Sequence, residues 1–401
     1  MSKKAYHLSS NRTPSINEES DKEAGFEILD SFERFHQKNE MFRRSQWDKR
    51  VRSEKTERFY AAHSQPISEW RNTAGFTQKD YSLRNATWHI SDVLAGVHAV
   101  DGRREGFTDV FTLQVDSAAQ KAEIGTPEQA AAMIKRIAKF CGAGIVGVTG
   151  LDERWQYASR FSDIDGVEKP PEISENLAQV IIVAVPMDYK ILQTVPSALG
   201  SAATGLGYSN DATLLIALTQ YIRGLGYQAV GSMNDTALSI PYAIKAGLGE
   251  AGRNGLLITK EFGPRVRLGK VFTNMPLAHD KPLQFGVREF CKICKRCART
   301  CPSKSISFGE PSATPYSQSN IKGVRKWSID VEKCFSFWAA QNSDCAVCIR
   351  SCPYNKDYRD WWHRAARWLA GTRLRKLMLV FDAKMGYGER VNPKHFNKRH
   401  L

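Results

Sequence analysis

Apolar and polar positions follow two different periods between about residues 120 and 285. Thr126-Pro127-Glu128-Gln129 is a capping box with proline at the first helical position. Ala130, Ile134, Ile137 and Phe140-Cys141 then recur on one helical stripe until Gly142 ends it. Short unbroken apolar runs come next. Residues 145–148 (Ile-Val-Gly-Val) predict a buried strand; residues 180–185 (Val-Ile-Ile-Val-Ala-Val), apolar on both faces and closed by Pro186, predict the clearest strand of the chain. A helix is predicted over residues 211–223 and a further strand over 227–230. Strands separated by helices predict a helix-flanked sheet, an α/β (α+β) core over residues 121–285.

The ends of the chain behave differently. Residues 1–75 are charge-dense, with Phe26, Phe32, Phe35, Phe42, Trp47, Phe59, Tyr60 and Trp70 scattered among the charges. That pattern predicts a segment, residues 1–120, that wraps a core rather than forming one. Residues 357–401 are basic and Trp-rich, and amphipathic from Trp361 onward. We read this tail as a stripe packed over the protein's own core and shielding a buried group, in preference to a helix lying on an anionic membrane.

Composition narrows the class without naming a function. The 401 residues, 42% hydrophobic and 25% charged with a net charge of +15, exclude fibrous, disordered and membrane-spanning classes and favour anionic partners. Residues 1–40 contain no apolar signal core, and neither Arg43-Arg44 nor Arg103-Arg104 precedes an apolar run, so the expected location is cytoplasmic. The longest uncharged stretch, 191–210, is too interrupted by Gly, Ser, Thr and Pro to read as a spanning helix.

The cysteines change the picture. Eight of the nine lie between Cys291 and Cys352, as Cys291-x2-Cys294-x2-Cys297-x3-Cys301-Pro302 and Cys334-x10-Cys345-x2-Cys348-x3-Cys352-Pro353. This is the run of bacterial two-cluster ferredoxins, in which three thiolates hold one cubane and the fourth reaches over to the other. By that crossover Cys291, Cys294, Cys297 and Cys352 hold one [4Fe–4S] cluster, and Cys301, Cys334, Cys345 and Cys348 the second, within a ferredoxin-like module over residues 286–356. A pair of zinc sites is the plainer alternative, but zinc motifs rarely show this spacing with a trailing proline twice. Cys141 stands apart and is expected to be a small buried hydrophobe. Around the first run, Arg288, Lys292, Lys295, Arg296, Arg299 and Lys304 face only Glu289. The collar suits an acidic ferredoxin or flavodoxin donor, and equally suits offsetting the negative charge of the clusters. Residues 247–252 match a dinucleotide fingerprint formally, yet no strand precedes them, so close backbone approach to another large cofactor is the better reading.

A resemblance sharpens this. Residues 201–210 (Ser-Ala-Ala-Thr-Gly-Leu-Gly-Tyr-Ser-Asn), Asn234-Asp235-Thr236, residues 246–259 with 262–267, and the second cysteine run are similar to motifs of the corrinoid-dependent reductive dehalogenases. The likeness covers about residues 125–360 well and the N-terminal segment loosely. It implies an oxidoreductase acting on carbon–halogen bonds, with base-off cobalamin in a nitroreductase-like core fed by two [4Fe–4S] clusters. It also implies Tyr208 as proton donor, Arg267 as the cation that lowers the phenol's pKa, and Asn234 on the leaving halide or substrate. Thr204, Met233, Gly247, Gly249 and Gly252 become the expected corrinoid contacts. The Asp-x-His-x-x-Gly motif that ligates cobalt in many corrinoid proteins is not found, in keeping with a cobalt that has no protein ligand. Unlike respiratory members the sequence shows no twin-arginine leader, and the fused reductase domain of some catabolic members is not seen; these departures bear on location and electron donor.

Two other readings compete. Epoxyqueuosine reductase shares cobalamin and two similar clusters, and a basic chain suits tRNA, but the stretch after Cys352 is short for that family's helical-repeat tail; no nucleic-acid partner is expected. A non-catalytic electron-transfer subunit would not need so long a chain before its clusters. The organohalide stays unnamed: Trp47, Trp88 and Trp155 are candidates to line a pocket for an aryl or alkyl halide.

Overall fold

The computed structural model describes residues 15–64, 73–97, 116–171, 173–174, 176–394 and 396. Trp70 and the Arg103-Arg104 pair lie outside them. Four strands, β1 (Ile145–Gly150), β2 (Gln179–Pro186), β3 (Ala229–Ser232) and β4 (Val266–Thr273), form a sheet in the order β1-β2-β4-β3 with every pairing antiparallel. The run at 180–185 is buried on both faces because alternate residues serve two cores. Ile181, Val183 and Val185 pack beneath helices, while Val180, Ile182 and Ala184 join Trp155, Tyr242 and Phe272. A continuous apolar strand therefore does not require a parallel sheet here, only layers on both sides.

The helices over the first face are α1 (Gln78–Val97), α2 (Pro127–Phe140) and α3 (Ala198–Gly224). α2 starts at the capping box: Thr126 accepts from the Gln129 amide and Gln129 accepts from the Thr126 amide at 2.9 Å. Its stripe stops short of expectation, since Phe140 is 90% exposed, and Cys141 is half-buried rather than buried. α3 departs more. It begins at Ala198, capped by the Ser197 hydroxyl on the Gly200 amide at 2.8 Å, and not at 211, so the Gly- and Ser-rich stretch is helical. Burial on nearly every side outweighs its poor propensity.

The described part of the N-terminal segment packs on the core through its aromatic residues. Phe26 and Phe32 meet Trp155 edge-on at 5.2 and 5.8 Å, and Phe42 and Phe59 both meet Phe335 at 5.5 Å. Arg43 and Arg44 are buried clamps: Arg43 pairs with Asp163 and with Asp235 at 3.7 Å, Arg44 with Asp48 at 2.7 Å and Glu332 at 2.6 Å. α4 (Ser239–Lys245) stands between β3 and β4; past the sheet lie the cysteine module with α5 (Val287–Cys294) and α6 (Val331–Gln341), then the tail helices α7 (Trp361–Ala370) and α8 (Arg375–Lys384). The tail does pack over the cysteines: Ala366, Ala370 and Met378 join Phe290, Cys291, Cys294 and Tyr354 in one cluster, while Trp361, Trp362, Trp368 and Leu377 face outward. Among the described residues, no helix is long and apolar enough to cross a membrane.

Candidate active site

Tyr208 lies mid-way along α3, where two glycines admit its neighbours. A Cβ at Gly205 would strike the Trp88 ring of α1; one at Gly207 would come within 2.7 Å of Arg267 Cγ. These two vacancies account for the Gly-Leu-Gly-Tyr sequence. They let Trp88 stack on the Tyr208 ring, centroids 4.7 Å apart and planes at 27°, and let the Arg267 guanidinium of β4 sit 3.9 Å from the ring centroid. Arg267 also donates to the phenol oxygen, and Asn234 Nδ2 donates to it at 2.8 Å. Two donors, one of them a cation, converge on one oxygen: an arrangement that stabilises the negative charge left there when the proton departs. The three catalytic candidates are thus brought together, Tyr208 from a helix, Asn234 from a turn and Arg267 from a strand.

Asn234 is held from behind. Lys270, wholly buried on β4, donates to the Met233 carbonyl and to Ser239 Oγ at 2.9 Å; burial lowers its pKa to about 8. Gln37 of the N-terminal segment donates to Asp235 at 2.8 Å, and Thr236 takes a positive φ of 72°. The turn is therefore fixed from the sheet on one side and from the wrapping segment on the other.

Tyr208, Asn234 and Arg267 form part of the wall of a cavity of about 850 Å³, within the range of cofactor sites. Thr204, Gly252, Trp88 and Trp155 line it too. Three expected contacts do not: Met233 is core, its carbonyl taken by Lys270, and Gly247 and Gly249 are glycine because a Cβ would strike the Lys281 and Ile258 carbonyls of their own chain. Trp47 is also elsewhere, 39% exposed with its indole on the Lys38 carbonyl at 2.9 Å. His63, which the sequence did not single out, lines the cavity; its Nδ1 donates to the Phe59 carbonyl at 2.9 Å and burial lowers its pKa to about 3, so the ring is neutral.

The cysteines sort into two groups by their electrostatic neighbours. Burial pushes the thiols of Cys291, Cys297, Cys334 and Cys345 up to about 12 and holds those of Cys348 and Cys352 well above the usual thiol range. After burial, Cys352 is raised by Cys291, Cys294 and Cys297, members of the other run, whereas Cys334 and Cys345 are both raised by Cys301. Cys348 feels Cys345, Cys334, Cys297 and Cys301, so the two groups are adjacent. Among the described residues, no three His, Cys, Asp or Glu are arranged to hold a single metal ion. Arg253, 1% exposed, lines the hollow beside Cys291, Cys294, Cys297 and Cys352; it donates to the Cys291 carbonyl at 3.0 Å and keeps Nη2 buried without a hydrogen-bond partner. Of the basic collar, Arg296 is occupied with Asp382 and the Tyr387 carbonyl, Arg299 with the Cys294 carbonyl and Arg288 with the Gly25 carbonyl, while Lys292 and Lys304 are exposed.

An α+β core with a Tyr–Arg–Asn group in a cavity wall, and a cysteine module that reaches the same cavity through Trp338 and Ile349, define a redox enzyme class. A reductive dehalogenase subunit family matches residues 172–277 and a 4Fe-4S dicluster domain family matches residues 290–356. A tetrachloroethene reductive dehalogenase of Desulfitobacterium hafniense is 32% identical over 401 residues, covering 82% of this chain and 71% of that protein; one of Sulfurospirillum multivorans is 38% identical, covering 65% and 57%. The solved catabolic reductive dehalogenase NpRdhA superposes with a TM-score of 0.70 at 21% identity, covering 91% of this chain and 48% of its own, so this chain spans about half of that one's length. An epoxyqueuosine reductase of Lactococcus garvieae is 31% identical over only 33% of this chain. The chain belongs to the reductive dehalogenase family, oxidoreductases that act on carbon–halogen bonds.

Proposed function

We propose that the protein replaces a carbon–halogen bond by carbon–hydrogen, consuming two electrons and one proton, with base-off cobalamin in the cavity and two [4Fe–4S] clusters on the cysteine quartets. The observation that carries this is the convergence of Arg267 and Asn234 on the Tyr208 oxygen at the wall of a cavity that also adjoins the cysteines. The cavity fits a large, amide-rimmed macrocycle: two lining residues, Trp88 and Trp155, keep buried indole N–H groups without partners, and Gly252 and Gly255 bring bare backbone to the wall. Bound in the cavity, cobalamin would supply electron transfer to the organohalide, and clusters held by the two cysteine quartets would supply single electrons. Within this site Tyr208 delivers the proton, Arg267 stabilises the phenolate left behind, Asn234 orients the halide or substrate, and Trp88 excludes water from the ring face. A solved relative is described as B12-dependent and curated relatives as acting on tetrachloroethene, so chlorinated alkenes are the first substrates to try. An acidic ferredoxin or flavodoxin meeting Lys292 and Lys304 is the proposed donor.

The test is anaerobic reconstitution followed by turnover with a chemical reductant. We expect about eight irons and one cobalt per chain, chloride release, and solvent deuterium at the dehalogenated carbon. Four or fewer irons, zinc in their place, or no halide from chlorinated alkenes, alkyl halides and halophenols would overturn the reading.

A further inference from the structure

One turn after Tyr208 on α3 stands Asp211, an acid inside the apolar run that packs on the sheet. It is 1% exposed, and its Oδ1 is buried without a hydrogen-bond partner. It fits only because position 269 of β4 is glycine: a Cβ there would land on Oδ1 and come within 2.9 Å of Oδ2. Gly269 is two residues from Arg267 and therefore on the same face of the strand. Tyr208 and Asp211 likewise share one helix face, three residues apart. Arg267 spends a terminal nitrogen on Tyr208 and keeps its Nε buried without a hydrogen-bond partner. The phenol, the guanidinium and the carboxyl are thus neighbours between α3 and β4, the carboxyl on the buried side, and nothing so far assigns it a role.

We propose that Asp211 is a positioning residue for the reaction: a buried carboxylic acid that sets the net charge around Arg267, and so how readily Tyr208 gives up its proton. The inference rests on Tyr208 being the proton donor, as proposed above. While Asp211 is neutral, the whole Arg267 charge acts on the phenol oxygen. Once Asp211 ionises, a carboxylate partly cancels that charge and opposes a second anion on Tyr208. Burial raises its pKa to about 7, against the opposing pull of Arg267 and Lys270, the charged groups of the strand that act on it. The switch in charge accordingly falls within the ordinary working range of pH.

The test compares Asp211→Asn with wild type, both as holoenzyme with iron and cobalt counted, and takes the ratio of their kcat values from about pH 5.5 to 8.5. The ratio cancels any pH dependence of the reductant. It is expected to rise as pH passes about 7, by up to roughly tenfold for each pKa unit that the carboxylate adds to the phenol. KM should move little. A second readout needs no turnover. A carboxyl raised in the folded state stabilises the protein below its unfolded pKa, and that stability is lost as pH rises through about 7. The melting temperature of Asp211→Asn should therefore gain on wild type between about pH 4 and 7 and then stop gaining. A flat kcat ratio with an inactive Tyr208→Phe enzyme overturns the role of Asp211 alone, whereas an active Tyr208→Phe enzyme overturns the proton-donor reading beneath it. A melting difference that ignores pH overturns the proton held on Asp211. If Asp211→Asn fails to fold, wild-type kcat, corrected for the reductant, still has to fall through pH 7, and constancy there overturns the proposal.

Discussion

The cysteine module draws its eight thiols from one stretch of chain, Cys291 to Cys352, whereas the Tyr208 group draws on a helix, a turn and a strand. In the module the cysteines recur at fixed spacing within two short runs, and within each run the positions of the sulfurs follow from local backbone. In the core the spacing between Tyr208, Asn234 and Arg267 means nothing locally. What sets their distances is which side chains are missing between α3 and its neighbours: at Gly205 for Trp88, at Gly207 for Arg267 and at Gly269 for Asp211. Each cysteine quartet should thus fail as a unit when one ligand is lost. The core should lose rate in steps, with its fold intact.

The largest effect is expected from Cys352→Ala. Its sulfur lies among Cys291, Cys294 and Cys297, so the first cluster should be lost although the residue belongs to the second run. Iron should fall from about eight to about four per chain, and turnover should cease. Electron paramagnetic resonance of the reduced variant reads this directly; loss of the second cluster's signal alone would refute the crossover and, with it, the claim that spacing maps onto quartets.

Next comes Tyr208→Phe, expected to cost roughly 100- to 10,000-fold in kcat. The ring still stacks on Trp88, and only the hydroxyl that Arg267 and Asn234 share is removed. Cobalt and iron content should match wild type. A variant with full cofactors and near-native turnover would make Tyr208 a packing residue.

These two cases mark where sequence reading succeeds and where it stops. The strands near 145 and 180 and the capping box at Thr126 could be read because each depends on residues close in the chain. The start of α3 could not: helix propensity argues against Gly- and Ser-rich residues 198–210, and only the packing of α1 and β4 around them reverses that. Phe140, on the right stripe but beyond the end of its neighbour's cover, stayed exposed for the converse reason. Gly247 and Gly249 were legible as glycines that backbone approaches, but the approaching backbone is the chain's own. Asp211 left one trace in the sequence, a single acid in an apolar helix, three residues after the tyrosine.

Arg267→Lys should give an intermediate loss. Lysine keeps the charge but cannot reproduce the flat guanidinium over the Tyr208 ring or its fork of donors. A lost charged hydrogen bond is worth roughly 1.5–3 kcal/mol, about ten- to a hundredfold in rate. Equal activity would mean that charge alone matters and that the precise approach past Gly207 does not.

The smallest effect separates space from propensity within one helix. Gly207 and Gly224 both belong to α3, and alanine is the better helix former by about 1 kcal/mol in a helix interior. At Gly224, the last helical residue, a Cβ would meet nothing within 4 Å, so Gly224→Ala should leave turnover alone and stabilise by about 0.4–1 kcal/mol. At Gly207 the same methyl group would stand 2.7 Å from Arg267 Cγ and 3.3 Å from Met187 Cγ. Overpacking of this kind costs about 1–3 kcal/mol, which the gain in propensity partly offsets, so the net loss of stability should be near 1 kcal/mol. Arg267 is the part most able to yield, and its guanidinium should leave the Tyr208 oxygen. Gly207→Ala is therefore expected to unfold only slightly earlier in denaturant yet to lose kcat in the direction of Arg267→Lys, with KM little changed. If Gly207→Ala and Gly224→Ala behave alike in both measurements, the close approach of α3 and β4 does not place the guanidinium, and the core owes its geometry to something other than its missing side chains.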